Sequence, residues 1–204
     1  MIFKRNTYRK LPDEELMRKV ASGNTHAFSE LYDRYSNPLI NYFYKMLWKE
    51  RETAEDFMQE LFTKIIDRPE LFDTSRCFKT WIYSVANNMC KNEYRKREVR
   101  SNTVNGLDET YRVREHSVNQ AKFTDETMFK TKLGQELDKL EEVQKQTFIL
   151  RFKHELSIRE IAEIMECSEG TVKSRVFYTI KRLAANLEEF RPGVLSFLLL
   201  VLLN

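Results

Sequence analysis

Between Ser157 and Arg182 the chain reads SIREIAEIMECSEGTVKSRVFYTIKR, a segment with two helix starts and room for only a short turn between them. Ser157 with Glu160 has capping-box spacing, and Ser168 is placed as a second N-cap with Glu169 in the first turn behind it. Ile158, Ile161, Ala162 and Met165 make one inner face and Val172, Val176, Ile180 and Leu183 the other, with small Ala162 allowing close approach. This is helix-turn-helix spacing. On the outer side of the second helix, Thr171, Lys173, Ser174 and Arg175 fall in the N-terminal half, where such helices read base edges and clamp phosphates in a major groove. Lys173, Arg175, Lys181 and Arg182 stand there against Glu169 alone, a surplus equal to the +3 of the whole chain. Glu166 occupies the turn, where glycine is usual for a left-handed backbone, at a cost of about 1 kcal/mol.

A second basic focus lies near the middle. Lys91, Arg95, Lys96, Arg97 and Arg100 outnumber Glu93 and Glu98, and aromatics are interleaved just ahead of them. If Trp81 or Ile82, Val85 and Met89 form the buried stripe of a helix, then Thr80, Tyr83, Asn87, Lys91 and Tyr94 share the opposite face. Amides that hydrogen-bond base edges, rings that stack and cations for phosphate suit unpaired bases better than duplex.

A third face is acidic. Thr53 and Asp56 have capping-box spacing, Ala54, Phe57, Leu61 and Ile65 fall on one stripe, and Asp56, Gln59 and Glu60 share an open one. Asp56 and Glu60 are the one carboxylate pair that metal-assisted chemistry would use, and no partner ligands converge on them in sequence. Cys77, Cys90 and Cys167, like His26, His116 and His154, are scattered without metal or disulfide spacing. No phosphate-cradling glycine loop occurs among 5 glycines. The expectation is a non-enzymatic protein with no metal, no cofactor and no catalytic residue.

The elements that must position these faces are helices. A 204-residue chain with 42% hydrophobic and 32% charged residues holds one large or two small folded domains, and 5 Gly with 4 Pro leave little material for hairpins. Asp13 to Gly23 reads as one helix and Thr25 begins another, which Pro38 restarts as a third running to about Trp48. From Glu98 to Lys130 helical stripes are lost, and they resume at Leu133, Leu137 and Leu140 and continue to near Phe190. The reading is all-α, with two helical domains joined by a flexible linker: residues 10–97, linker 98–130, a second domain 131–190, and an apolar tail 191–204. With no secretory signal pattern and unpaired thiols, a cytoplasmic location is expected.

With both motif blocks in view, the chain resembles an RNA polymerase sigma factor of the extracytoplasmic-function group, a two-domain branch of the sigma-70 family. AFSELYDRY (27–35), AEDFMQELF (54–62), FKTWIYSVANN (78–88) and NEYRKR (92–97) resemble sigma region 2, and residues 137–187, with EIAEIMECSEGTVKSRV (160–176), resemble region 4. The resemblance implies that Asp56, Gln59 and Glu60 dock on the beta-prime coiled coil of core RNA polymerase. It implies that Arg76, Phe78, Lys79, Trp81, Tyr83, Asn87 and Asn88, continued by Lys91, Arg95 and Lys96, melt and hold the −10 element. The helix from Glu169 would read the −35 duplex. Core polymerase, through the beta-prime coiled coil and the beta flap, promoter DNA, and an anti-sigma factor or other recruiting protein are the partners it brings.

The rival reading is a stand-alone helix-turn-helix regulator that dimerises through its first domain, which leaves the Asp56, Gln59 and Glu60 face without a task. The tail Arg191–Asn204 departs from the minimal family pattern. Its apolar stretch Val194–Leu203 is too short to span a bilayer, which takes about 20 residues, so a buried helix ranks first, a partner-binding segment second and shallow membrane contact last.

Overall fold

The computed structural model describes residues 7–103 and 125–188, and every regular element among them is helical. Helix α1 (Asp13–Ala21) places Asp13, Glu14 and Glu15 in its first turn, where carboxylates favour the positive end of the helix dipole, and buries Leu16, Met17 and Val20. Gly23, at φ +80°, turns the chain into α2 (Thr25–Met46), which is capped by the Asn24 side chain accepting from the Ala27 amide at 2.9 Å. Pro38 does not restart a helix as expected but sits inside α2. A proline there costs about 3 kcal/mol. Leu31 and Tyr35 before it and Leu39, Tyr42 and Phe43 after it are all buried, each contributing about 1.5–3 kcal/mol, so tertiary packing holds one rod across the break.

Helix α3 (Arg51–Asp67) enters from Glu50, and the Thr53 hydroxyl donates to the Glu50 carboxylate at 3.0 Å, so Thr53 and Asp56 lie inside the helix rather than capping it. A 3-10 turn (Pro69–Leu71) leads to α4 (Phe78–Thr103). The remaining helices are α5 (Asp125–Asp138), α6 (Glu142–Phe152), α7 (Ile158–Met165) and α8 (Glu169–Asn186). The expected linker is therefore helical at both ends: α4 runs past Glu98 to Thr103, helped by an Arg100–Glu93 ion pair at 2.9 Å, and α5 begins before Lys130. The rest of that linker and the tail lie outside the described residues.

The two lobes do not hang apart. Aromatic and aliphatic residues of α1–α4 form a core that continues without a break into Ile149, Leu150, Leu156, Ile161, Ile164, Met165 and Val172 of the second lobe. A smaller cluster of Leu137, Leu140, Phe148, Leu183 and Leu187 ties α5, α6 and α8 together. No helix among the described residues is long and apolar enough to cross a membrane.

Candidate nucleic-acid interface

In the second lobe the capping box is complete: Ser157 Oγ accepts from the Glu160 amide at 3.2 Å, and Glu160 Oε2 accepts from the Ser157 amide at 2.8 Å. Helix α7 ends at Glu166 in the left-handed region (φ 54°, ψ 46°), with the Cys167 amide bonded to the Ala162 carbonyl at 3.0 Å and that of Glu166 to Glu163 at 3.3 Å. That is the closing pattern in which glycine is favoured. Ser168 then caps α8 through the Thr171 amide at 3.0 Å. Lys173 and Ser174 are exposed, as the sequence predicts, whereas Thr171 is half-buried. Arg175 differs. Its Nη1 lies 3.7 Å from Cys167 Sγ and 4.0 Å from Met165 Sδ, folded back over the turn rather than projecting beside Lys173. Phe177 and Tyr178, 58% and 63% exposed, are open side chains of α8 that the sequence reading passed over. Their signal was available, since both fall off the Val172, Val176, Ile180 and Leu183 stripe.

On α3 the expected open face is present. Asp56, Gln59 and Glu60 are all exposed, and Glu60 pairs with Lys64 at 2.7 Å. Ala54, Met58, Leu61, Phe62 and Ile65 anchor the helix from behind.

The face expected to be open on α4 is instead buried. Thr80, Tyr83 and Asn87 are 2%, 1% and 0% exposed, packed against α6 and α7, while Ile82, Ala86 and Met89 bury the other side. Asn87 Nδ2 donates to the Ile164 carbonyl at 2.9 Å, and Gln146 Nε2 donates to Asn87 Oδ1 and, at 2.9 Å, to the Tyr42 hydroxyl. Thr80 Oγ1 donates to Glu160 at 3.2 Å, Arg76 pairs with Glu163, and Lys91 reaches Glu166 at 3.9 Å. The physical reason is that an amide or hydroxyl surface can be covered at little cost when each group finds a protein partner. Ile164 was the overlooked sign, an apolar side chain on what would otherwise be the solvent side of α7.

The loop from α6 to α7 contributes His154, whose ring sits 4.7 Å from Tyr83 and 5.8 Å from Tyr42, with Nδ1 2.6 Å from the Tyr83 hydroxyl. Burial, with nearby Lys79, Lys153 and Lys45, lowers its pKa to about 4, and burial pushes the Tyr83 hydroxyl up. Sequence spacing gave His154 no role.

The remaining α4 candidates divide. Phe78 is fully buried between Phe72 and Tyr35, its amide donating to Glu14 Oε1 at 2.9 Å, and half-buried Trp81 packs on Phe72. Lys79 is half-buried, whereas Asn88, Arg95 and Lys96 are exposed.

The family model for sigma-70 region 2 matches residues 31–100, and that for sigma-70 region 4 matches residues 130–183. The ECF RNA polymerase sigma-E factor of Haemophilus influenzae is 30% identical over 175 residues, covering 82% of this chain and 91% of the relative. SigW, an ECF RNA polymerase sigma factor of Bacillus subtilis, is 28% identical over 166 residues, 78% of this chain and 88% of its own. Among solved structures, the sigma factor RpoE of Bartonella quintana, in complex with the anti-sigma factor NepR, shares the fold at TM-score 0.64 and 21% identity, over 79% of this chain and 96% of that one. Two region models in the order of the two lobes, with a relative matched along nearly its full length, place this chain in the extracytoplasmic-function group of sigma-70 family RNA polymerase sigma factors.

Proposed function

We propose that this sigma factor docks on the beta-prime coiled coil of core polymerase through Asp56, Gln59 and Glu60, with the second lobe meeting the beta flap. The observation that carries the reading is the polar face of α3, on which Asp56, Gln59 and Glu60 are all exposed while Ala54, Met58, Leu61, Phe62 and Ile65 are buried behind them. Thr171, Lys173, Ser174 and Arg175 read the −35 duplex, Arg175 by turning out from the turn it now covers. The loop and helix from Arg76 to Lys96 melt and hold the −10 strand. Extruding a base costs a few kcal/mol, which ring stacking and hydrogen bonds at the base edge recover. The protein works in the cytoplasm beside its polymerase and carries no catalytic residue of its own. An anti-sigma partner fits the same reading, because the sigma factor RpoE, of like fold, has been solved with the anti-sigma factor NepR, and CnrH, also of like fold, with the cytosolic domain of CnrY.

The test is copurification with core polymerase, followed by run-off transcription over a randomised promoter library. Reversing both charges, Asp56→Arg with Glu60→Arg, should abolish copurification while leaving thermal unfolding unchanged. A double variant that copurifies as well as wild type would remove α3 from the docking site.

A further inference from the structure

We propose that the apolar run Val194–Leu203 folds back along α8 and covers Phe177 and Tyr178, so that the chain's own tail and duplex DNA compete for one face. The docking stands on the surface of α8, whereas its consequence for duplex rests on the proposed role of that helix. Phe177 and Tyr178 are both more than half exposed, and their rings meet edge to face at 5.4 Å. They extend the outer face by one turn, Phe177 following Lys173 and Tyr178 following Ser174 at i+4. Ser174, Tyr178, Lys181 and Ala185, all exposed, recur at spacings of four, three and four, which is the seam on which a second helix packs. Ser174 and Ala185 are small enough for backbones to approach, and the Lys181 stem can lie along the seam with its ammonium in water.

The chain supplies its own cover. The described residues end at Glu188, just past α8, and Val194 follows six residues later. Pro192 and Gly193 stand between, a pair that breaks a helix and turns the chain, and connections of this length join neighbouring helices. Ten helical residues extend about 15 Å, and Tyr178 lies about 12 Å back from Asn186, so the run reaches both rings and stops about a turn short of Lys173. Nine of its ten residues are apolar, Ser196 being the exception, so every register offers the rings an apolar partner. So short a tether holds the run at a local concentration on the order of millimolar, at which a modest apolar contact persists. A major groove about 12 Å wide admits one helix and not a packed pair, so the run must leave before α8 can enter.

The experiment uses the full chain without polymerase, read by hydrogen exchange, with a fluorescent pool of randomised duplex DNA as probe. In wild type the amides of 194–203 should be protected. Phe177→Ser with Tyr178→Ser, at two exposed positions, should remove that protection, and so should added duplex. Leu195→Gln, Leu198→Gln, Leu199→Gln and Leu202→Gln together break one face of the run without changing net charge. They should tighten duplex binding roughly fivefold, the factor by which a face open about a fifth of the time is weakened. Protection that survives the serine substitutions would place the run elsewhere and overturn the docking. Protection that grows with protein concentration would give the face to the tail of a second copy. Amides of 194–203 unprotected in wild type would overturn the proposal outright, and protection gained only with phosphatidylcholine vesicles would assign the run to lipid. Unchanged duplex affinity in the glutamine variant would overturn the competition. Exchange at 194–203 is first read without DNA, while copurification of the same proteins with core polymerase reports on the sigma-factor reading, so the two failures are distinguishable.

Discussion

Helices α4 and α8 are built from the same ingredients, a buried aliphatic stripe, interleaved aromatics and a surplus of cations, yet one is covered and the other open. On α4 the polar face of Thr80, Tyr83 and Asn87 is sealed by another lobe, and on α8 Lys173, Ser174, Phe177 and Tyr178 face water. The difference lies in the neighbour. Helix α7 carries apolar or hydrogen-bonding groups on both sides, Ile161, Ala162 and Met165 toward α8 and Ile164 with Glu160 toward α4, so it closes one surface while presenting the next. Composition marks a face as capable of binding nucleic acid, and only the partner across from it decides when it is available.

The largest expected effect breaks the comparison at Asn87. Asn87→Leu strips the Ile164 carbonyl of its donor and takes from Gln146 one of its two acceptors. Leaving buried polar groups unpaired costs about 1–3 kcal/mol each, so the variant should lose about 3 kcal/mol in urea unfolding, against less than about 0.5 kcal/mol for exposed Ser174→Ala. Equal losses at the two positions would mean that α4 is not covered in solution.

Acid should part the lobes next. His154 has a pKa of about 4 where it is packed, against an ordinary value of 6.5, so the packed arrangement favours the neutral ring. Its contribution is complete above pH 6.5 and is lost as pH falls toward 4. At pH 5 the loss is about 2 kcal/mol by linkage. The groups facing the ring are Lys79 from α4, Lys45 from α2, Lys153 at the end of α6, and the hydroxyls of Tyr83 and Tyr42, so no carboxylate offsets the new charge. Glu160 and Asp138 are both held below their ordinary values, whereas burial raises Glu142 at the start of α6, so its protonation on acidification favours the packed form and opposes the histidine. Small-angle scattering should show expansion of wild type between pH 7 and 5. His154→Phe, which keeps a ring between the tyrosines without a titrating nitrogen, should stay compact, and identical expansion of both would contradict the assignment.

On the open helix the effects are smaller and concern DNA. Arg175 can offer two donors to one guanine but must first leave Cys167 and Met165, so Arg175→Ala should cost about 1–2 kcal/mol at a single −35 position. Lys173→Ala should instead weaken binding to every duplex alike and reduce the salt slope by about 1. Titrations on specific and random duplexes at several salt concentrations distinguish them. Uniform loss for Arg175→Ala would make it a phosphate contact.

Much of this was legible in the residues. Both caps of the helix-turn-helix, its inner stripes and the left-handed Glu166 follow from spacing, because capping and helical periodicity are local properties. The open face of α3 follows for the same reason, since Asp56, Gln59 and Glu60 fall off the apolar stripe that holds Ala54, Leu61 and Ile65. Pro38 was misread because local propensity yields to the core residues on either side of it. The burial of Asn87 and the role of His154 were not legible at all. Their partners lie 77 and 71 residues away in sequence, and no periodicity within α4 encodes a contact at that separation.

The smallest expected effect sits at the joint between the covered helix and the open one. Glu166 holds φ 54° and ψ 46°, a conformation that costs a residue with a Cβ about 1–2 kcal/mol and glycine almost nothing. Glu166→Gly should therefore stabilise the turn by about 1 kcal/mol, since the bonds closing α7 use backbone amides alone. The same substitution removes the carboxylate facing Lys91, a 3.9 Å contact between an exposed glutamate and a half-buried lysine that contributes little to folding. Two measurements should then move in opposite directions, with the unfolding midpoint rising while protection of the α4 amides near Lys91 falls slightly. A rise in both would assign Glu166 to the turn alone and leave the restraint on α4 to Glu160, Glu163 and His154. A fall in the midpoint would show that the ion pair outweighs the backbone strain, making the joint a contact between lobes before it is a turn.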